Sequence, residues 1–167
     1  MAYRNKTYVA FASEDIARYR LMEAWRENQH IDFSFFDAHD LYISRDDSKP
    51  ETIKRNLRER LKNAKQVVLL GSKDGKKKGG DGKSFLAHEI EIIREFKLPL
   101  VIANLDGGRT VNHDFIPSPL ADYYSISVSF QPKIIMHALD KYVSAFEEGG
   151  RQGPHQYAAS VYTDLGL

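Results

Sequence analysis

Four branched aliphatic residues in unbroken succession, Val67-Val68-Leu69-Leu70, closed by Gly71-Ser72, constrain this chain more than any other stretch. A strand that reads as continuously apolar rather than alternating must be covered on both faces. Such strands belong to parallel sheets with helices packed above and below. Leu100-Val101-Ile102-Ala103-Asn104-Leu105 repeats the signature, and Tyr8-Val9-Ala10-Phe11-Ala12 is a shorter β-prone run. Segments with apolar residues at helical spacing alternate with these runs. Ile16, Tyr19, Met22 and Trp25 mark the first; Ile53, Leu57, Leu61 and Ala64 the second; Leu86, Ile90 and Ile93, with Phe85 beside them, the third. The last is opened by Pro132, carries Ile134, Ile135, Ala138, Leu139, Tyr142, Val143 and Phe146, and is stopped by Gly149-Gly150.

Punctuation supports the same order. Ser13-Glu14-Asp15 offers a capping hydroxyl and acids to the first helix, and Ser48-Lys49-Pro50-Glu51 reads as a capping box with proline in the first turn. Asp32 to Asp37 reads as a strand, followed by a polar loop from Ala38 to Lys49. Residues 107–122 form a long connection in which a fourth helix is short or lost. Ser125-Ile126-Ser127-Val128-Ser129-Phe130 alternates as an edge strand with one wetter face should. The expected fold is α/β: a flavodoxin-like three-layer sandwich around a five-stranded parallel sheet in the order 2-1-3-4-5, with right-handed crossovers. Residues 1–149 make the domain. Residues 150–167 are a tail whose Tyr157, Val161, Tyr162 and Leu165 can dock on the domain or on a partner. In this strand order the ligand crevice opens between the first and third strands, so Ser13-Glu14-Asp15 and Ser72 flank it.

Composition excludes several classes. A chain of 167 residues with 42% hydrophobic and 28% charged residues is neither disordered nor fibrous. No apolar run reaches the roughly 20 residues of a membrane helix, and the N-terminus does not read as a signal peptide, so a cytoplasmic protein without membrane contact is expected. The absence of cysteine removes disulfides, thiolate nucleophiles and cysteine metal sites. A net charge of +1 gives no general attraction to nucleic acid. The cations Lys54, Arg55, Arg58, Arg60 and Lys62 read as the solvated face of their helix.

Three sets of residues could carry chemistry. Lys77-Lys78-Gly79-Gly80-Asp81-Gly82-Lys83-Ser84 follows a strand and opens a helix as a nucleotide phosphate loop does, but lysine stands at 77 where glycine is required. The stretch from Lys73 to Lys83, made only of lysine, glycine and aspartate, reads instead as a solvated, mobile connector. A receiver-type phosphoacceptor needs aspartate at the end of the third strand, where Gly71-Ser72 stands. There is no Gly-x-Ser-x-Gly elbow and no His-x-x-x-His pair. Glu89 remains: an acid near a helix start, one turn after Phe85, close to the carboxyl edge of the sheet. A carboxylate there suits cleavage of a glycosidic bond at ribose, which passes through an oxocarbenium-like state, though many helix starts carry surface acids.

The motifs Tyr8-Val9-Ala10-Phe11-Ala12-Ser13, Phe36-Asp37-Ala38, Glu51 to Leu61, Val67 to Ser72 and Phe85-x-x-x-Glu89 together resemble the TIR-like domains of the bacterial Thoeris antiphage defence family, over about residues 5–148. Enzymatic TIR domains require a glutamate four residues after a tryptophan on the third helix to cleave NAD. Glu89 matches that glutamate, and Phe85 keeps an aromatic ring at the tryptophan position. The resemblance implies that Phe11, Ser13 and Phe85 border the nucleotide pocket and that Asp37, His39 and Arg45, in and beside the covering loop, contact substrate. It implies an NAD glycohydrolase or ADP-ribosyl cyclase, with NAD as substrate and no cofactor or metal. The ADP-ribose-derived messenger would activate a separate effector protein, and the TIR surfaces would self-associate. The alternative is a non-catalytic TIR-like module for nucleotide sensing or protein interaction.

Overall fold

The computed structural model describes residues 6–31, 33, 36–37 and 49–167. Six strands form one parallel sheet in the order β2-β1-β3-β4-β5-β6: β1 Lys6–Ala10, β2 Phe36–Asp37, β3 Gln66–Gly71, β4 Leu100–Asn104, β5 Ser125–Ser129 and β6 Pro154–Gln156. The helices are α1 Ile16–Glu27, α2 Pro50–Leu61, α3 Lys73–Gly80, α4 Phe85–Glu95, α5 Pro132–Glu148 and α6 Ala159–Asp164. The expected five strands and their order are present, with one strand added at the outer edge.

Strand alternation divides the core in two. Val9, Phe11, Val68, Leu70, Val101, Ile126 and Val128 face α1 and α5, whose Tyr19, Met22, Ile135 and Leu139 meet them. Tyr8, Ala10, Val67, Leu69, Leu100 and Ile102 face α2 and α4 through Leu57, Leu61, Leu86, Ile90 and Ile93. Trp25 packs against the first core, edge-on to Phe33 at 5.5 Å between centroids, so it serves packing.

Three expectations need correction. The connector from Lys73 to Gly80 is a helix, α3. Ser72 caps it, its hydroxyl accepting from the Gly75 N–H at 2.9 Å. The glycines that lower helix propensity also let α3 lie close on its neighbours: a Cβ on Gly79 would stand 2.5 Å from Ile90 Cδ1 and 2.7 Å from Pro117 Cγ. Tertiary packing therefore overrides local preference, and the glycines mark close approach. Second, β5 is not an edge strand. The tail supplies β6 alongside it, in register Ser125↔Pro154 to Ser127↔Gln156, and every residue of β5 is buried. The Tyr162 hydroxyl of α6 accepts the Ser129 N–H at 3.1 Å, fixing the tail on the first core. Third, the caps differ. Asp15 and Lys49 stand at the N-cap positions of α1 and α2 with no side-chain capping bond, and Pro50 opens α2. Ser13-Glu14-Asp15 forms a 3-10 turn. Ser48 and the loop after Asp37 lie outside the described residues. The long connection behaves as expected, with two 3-10 turns, His113–Phe115 and Ser118–Leu120, in place of a helix.

Candidate functional site

The start of α4 is set by Asp81. Its Oδ1 accepts from the N–H of Lys83 (2.9 Å) and of Ser84 (2.7 Å), and its other oxygen pairs with the Ser84 hydroxyl. Slight burial works against the charged form, but the bonds from Ser84 and Lys83 prevail and hold Asp81 down at about 2. Helical periodicity then turns residue 89, three after Leu86 and four after Phe85, toward the sheet.

Glu89 is 0% exposed. The Tyr8 hydroxyl of β1 and the Arg60 guanidinium of α2 both stand close enough to favour the charged carboxylate. Burial outweighs both and pushes Glu89 up to about 8, so at neutral pH the carboxyl is mostly protonated. Tyr8 is the middle residue of β1. The carboxyl group therefore reaches under the mid-sheet, deeper than the carboxyl edge where the sequence placed it. Phe85, half-buried, packs against the same core.

The crevice between β1 and β3 is bridged by its own side chains. Ser72 donates its hydroxyl to Asp15 Oδ2 at 2.5 Å, and Lys78 reaches Glu14 at 3.6 Å. Burial raises Asp15 above its ordinary range, with the Ser72 bond opposing. Ser13 is exposed at this rim, its hydroxyl 3.4 Å from Glu14 Oε2. Phe11, in contrast, points through the other face of the sheet and stacks on Tyr19 at 4.9 Å, so β1 separates it from Glu89 and Phe85. The Asp37 backbone pairs with Thr7 beside β1. His39 and Arg45 lie outside the described residues. A surface cavity of about 560 Å³ opens along α3, and Glu89, Tyr8 and Arg60 are not among its lining residues.

Two residues around Glu89 escaped the sequence reading. Arg60 was assigned to the solvated face of α2, yet it lies three residues after Leu57 and seven after Ile53, which is the apolar stripe itself. That period was readable. Tyr8 shares the face of Ala10 and Val67 by simple alternation, but nothing in the sequence says that its hydroxyl meets Glu89.

Residues 8–110 match the family model described as the Thoeris protein ThsB, TIR-like domain. The chain belongs to this family. The match spans β1 to the loop after β4 and so contains Tyr8, Arg60, Phe85 and Glu89. No curated protein matches the chain. Membership places the protein in an antiphage defence TIR family, with defence-system partners in general. Among the described residues no helix is long and apolar enough to cross a membrane, and no group of three or more histidine or acidic side chains could hold a metal ion.

Proposed function

We propose that this ThsB TIR-like protein cleaves the bond between nicotinamide and ribose in NAD and makes an ADP-ribose-derived messenger, cyclic or linear, that activates a separate effector in the cytoplasm. The observation that supports this reading is the Glu89 carboxyl itself. A fully buried acid set one turn after an aromatic residue, met by Tyr8 and Arg60, is costly to a fold and is concentrated at functional sites.

The chemistry asks little else of the protein. The nicotinamide ring of NAD is already cationic, so the C–N bond breaks with its electron pair passing to nitrogen and neutral nicotinamide leaves without a proton. Positive charge then develops on the ribose. An ionised Glu89 stabilises that charge and accepts a ribose hydroxyl, while Phe85 shapes the wall. Water captures the ribosyl centre and loses a proton to give ADP-ribose; capture by a ring nitrogen of the adenine closes a cyclic product. Ser13 borders the pocket at the sheet edge, and the family resemblance adds Asp37, His39 and Arg45 as substrate contacts. Both the charge and the access of Glu89 must change for this to happen, because a sealed, protonated carboxyl does neither task. Assembly through TIR surfaces supplies that change.

Nicotinamide release from NAD, followed by chromatography with and without extract of infected cells, tests the reading. Glu89→Gln is expected to abolish release, and unchanged release in that variant overturns the assignment. The sealing of Glu89 favours one other reading, a non-catalytic module that senses a nucleotide or binds a partner. It predicts saturable binding of ADP-ribose with no product by mass spectrometry under either condition.

A further inference from the structure

We propose that the groove along α3 is a binding site for a phosphoric anhydride, as free pyrophosphate or as the pyrophosphate of a small nucleotide, separate from the Glu89 interior. Lys73, Lys76, Lys77, Gly80, Asp114 and Ser118 line this groove of about 560 Å³, a volume that suits a small ligand. Its walls are fixed. Gly79 lies against Ile90 and Pro117, Gly80 approaches Ser118, and Lys76 Nζ donates to the His113 carbonyl at 2.9 Å, tying α3 to the 3-10 turn opposite.

Three ammonium groups face one carboxylate in this lining. Lys78 points elsewhere, to Glu14, whereas Lys73 and Lys77 have no carboxylate in ion-pair range among the described residues. They stand one helical turn apart, with Cβ atoms about 5–6 Å from each other, a spacing that lets two adjacent phosphoryl groups each take an ammonium. The Ser118 hydroxyl can donate as well, and Asp114 supplies an acceptor for a sugar hydroxyl. Nucleic acid fits less well: the lining has no aromatic ring on which a base could stack, and the whole chain carries only +1. The lysines that resemble a phosphate loop in sequence thus work from a helix flank, not from a glycine-rich turn.

Titration of the full chain with pyrophosphate, ADP-ribose and orthophosphate, read by calorimetry and by amide shifts, tests the site. Pyrophosphate and ADP-ribose are expected to move the amides of α3 and residues 113–118 and to bind more tightly than orthophosphate. Lys73→Ala/Lys77→Ala should weaken binding about tenfold or more, while Lys73→Arg/Lys77→Arg retains it. Equal affinity for the first two ligands identifies the anhydride alone as the determinant; tighter ADP-ribose that falls back on Asp114→Asn identifies a nucleotide. Glu89→Gln should leave the α3 response intact, so this site stands or falls independently of NAD cleavage. Equal binding by the double alanine variant, or shifts confined to residues away from α3 and 113–118, overturns the proposal.

Discussion

The interior around Glu89 and the outer flank of α3 handle charge in opposite ways. Glu89 is an acid placed among Leu86, Ile90 and the sheet, where burial suppresses its charge. The α3 lysines keep theirs in water, on a helix whose apolar contacts are made by glycines. An ionisable group buried by the fold is a latent charge, released only when its surroundings change; one carried outside is permanently available but weakly held by the structure. The two regions meet through α3 and α4, joined at Gly79 and Ile90.

The sharpest way to break this contrast is Glu89→Gln, which removes the latent charge with little change in shape. NAD turnover measured as nicotinamide release should fall by roughly a hundredfold or more, and a smaller loss would demote Glu89 to a structural acid.

Next in size is a pH effect on stability. The folded Glu89 titrates near 8 and the unfolded one near the model-peptide value of 4.5. Below pH 4.5 both states bind the proton and the residue contributes no pH dependence. As pH rises from there to about 8, the unfolded chain ionises while the folded chain does not, so stability falls; above 8 the loss levels off. The full cost is on the order of a few kcal/mol. Urea unfolding at pH 5 and pH 8 should show this decline in the native chain and its loss in Glu89→Gln. A decline that persists in the variant would mean other groups cause it.

Gly79→Ala should follow, costing about 1–3 kcal/mol by overpacking against Ile90 and Pro117. At Gly82 the added Cβ meets open space but the backbone has φ +73°, so Gly82→Ala should cost less, roughly 1 kcal/mol, from strain alone. Thermal melts of the two rank them; a milder Gly79 variant would deny that the glycines serve close packing. Smallest is Lys73→Ala/Lys77→Ala, expected to leave unfolding within about 0.5 kcal/mol of the native chain.

The contrast also explains what could be read from the sequence. Periodicity located β1, β3, β4, α1, α2, α4 and α5, because each buries a repeating pattern. It failed on α3, where the buried groups are glycines and carry no hydrophobic signal, and on β6, where the three residues Pro154-His155-Gln156 show no apolar alternation. The site was half legible. Glu89 was found by its spacing from Phe85 and by family resemblance, but its depth depends on how α2 and α4 close over β1. Phe11 shows the opposite limit: it lies in the expected strand, yet alternation sends it through the other face of the sheet, away from Glu89.

The added strand β6 bears on solubility. β5 carries Ile126 and Val128 on one side and three serines on the other, and β6 pairs with it along Ser125 to Ser127. A chain cut before Pro154 would expose that row of amides and carbonyls together with the part of the first core that Tyr162 now completes, a template on which further chains can stack. Light scattering of such a shortened chain should rise on warming well before the intact protein's does. The tail therefore replaces a five-residue edge with one of three residues, too short to pair far with another chain.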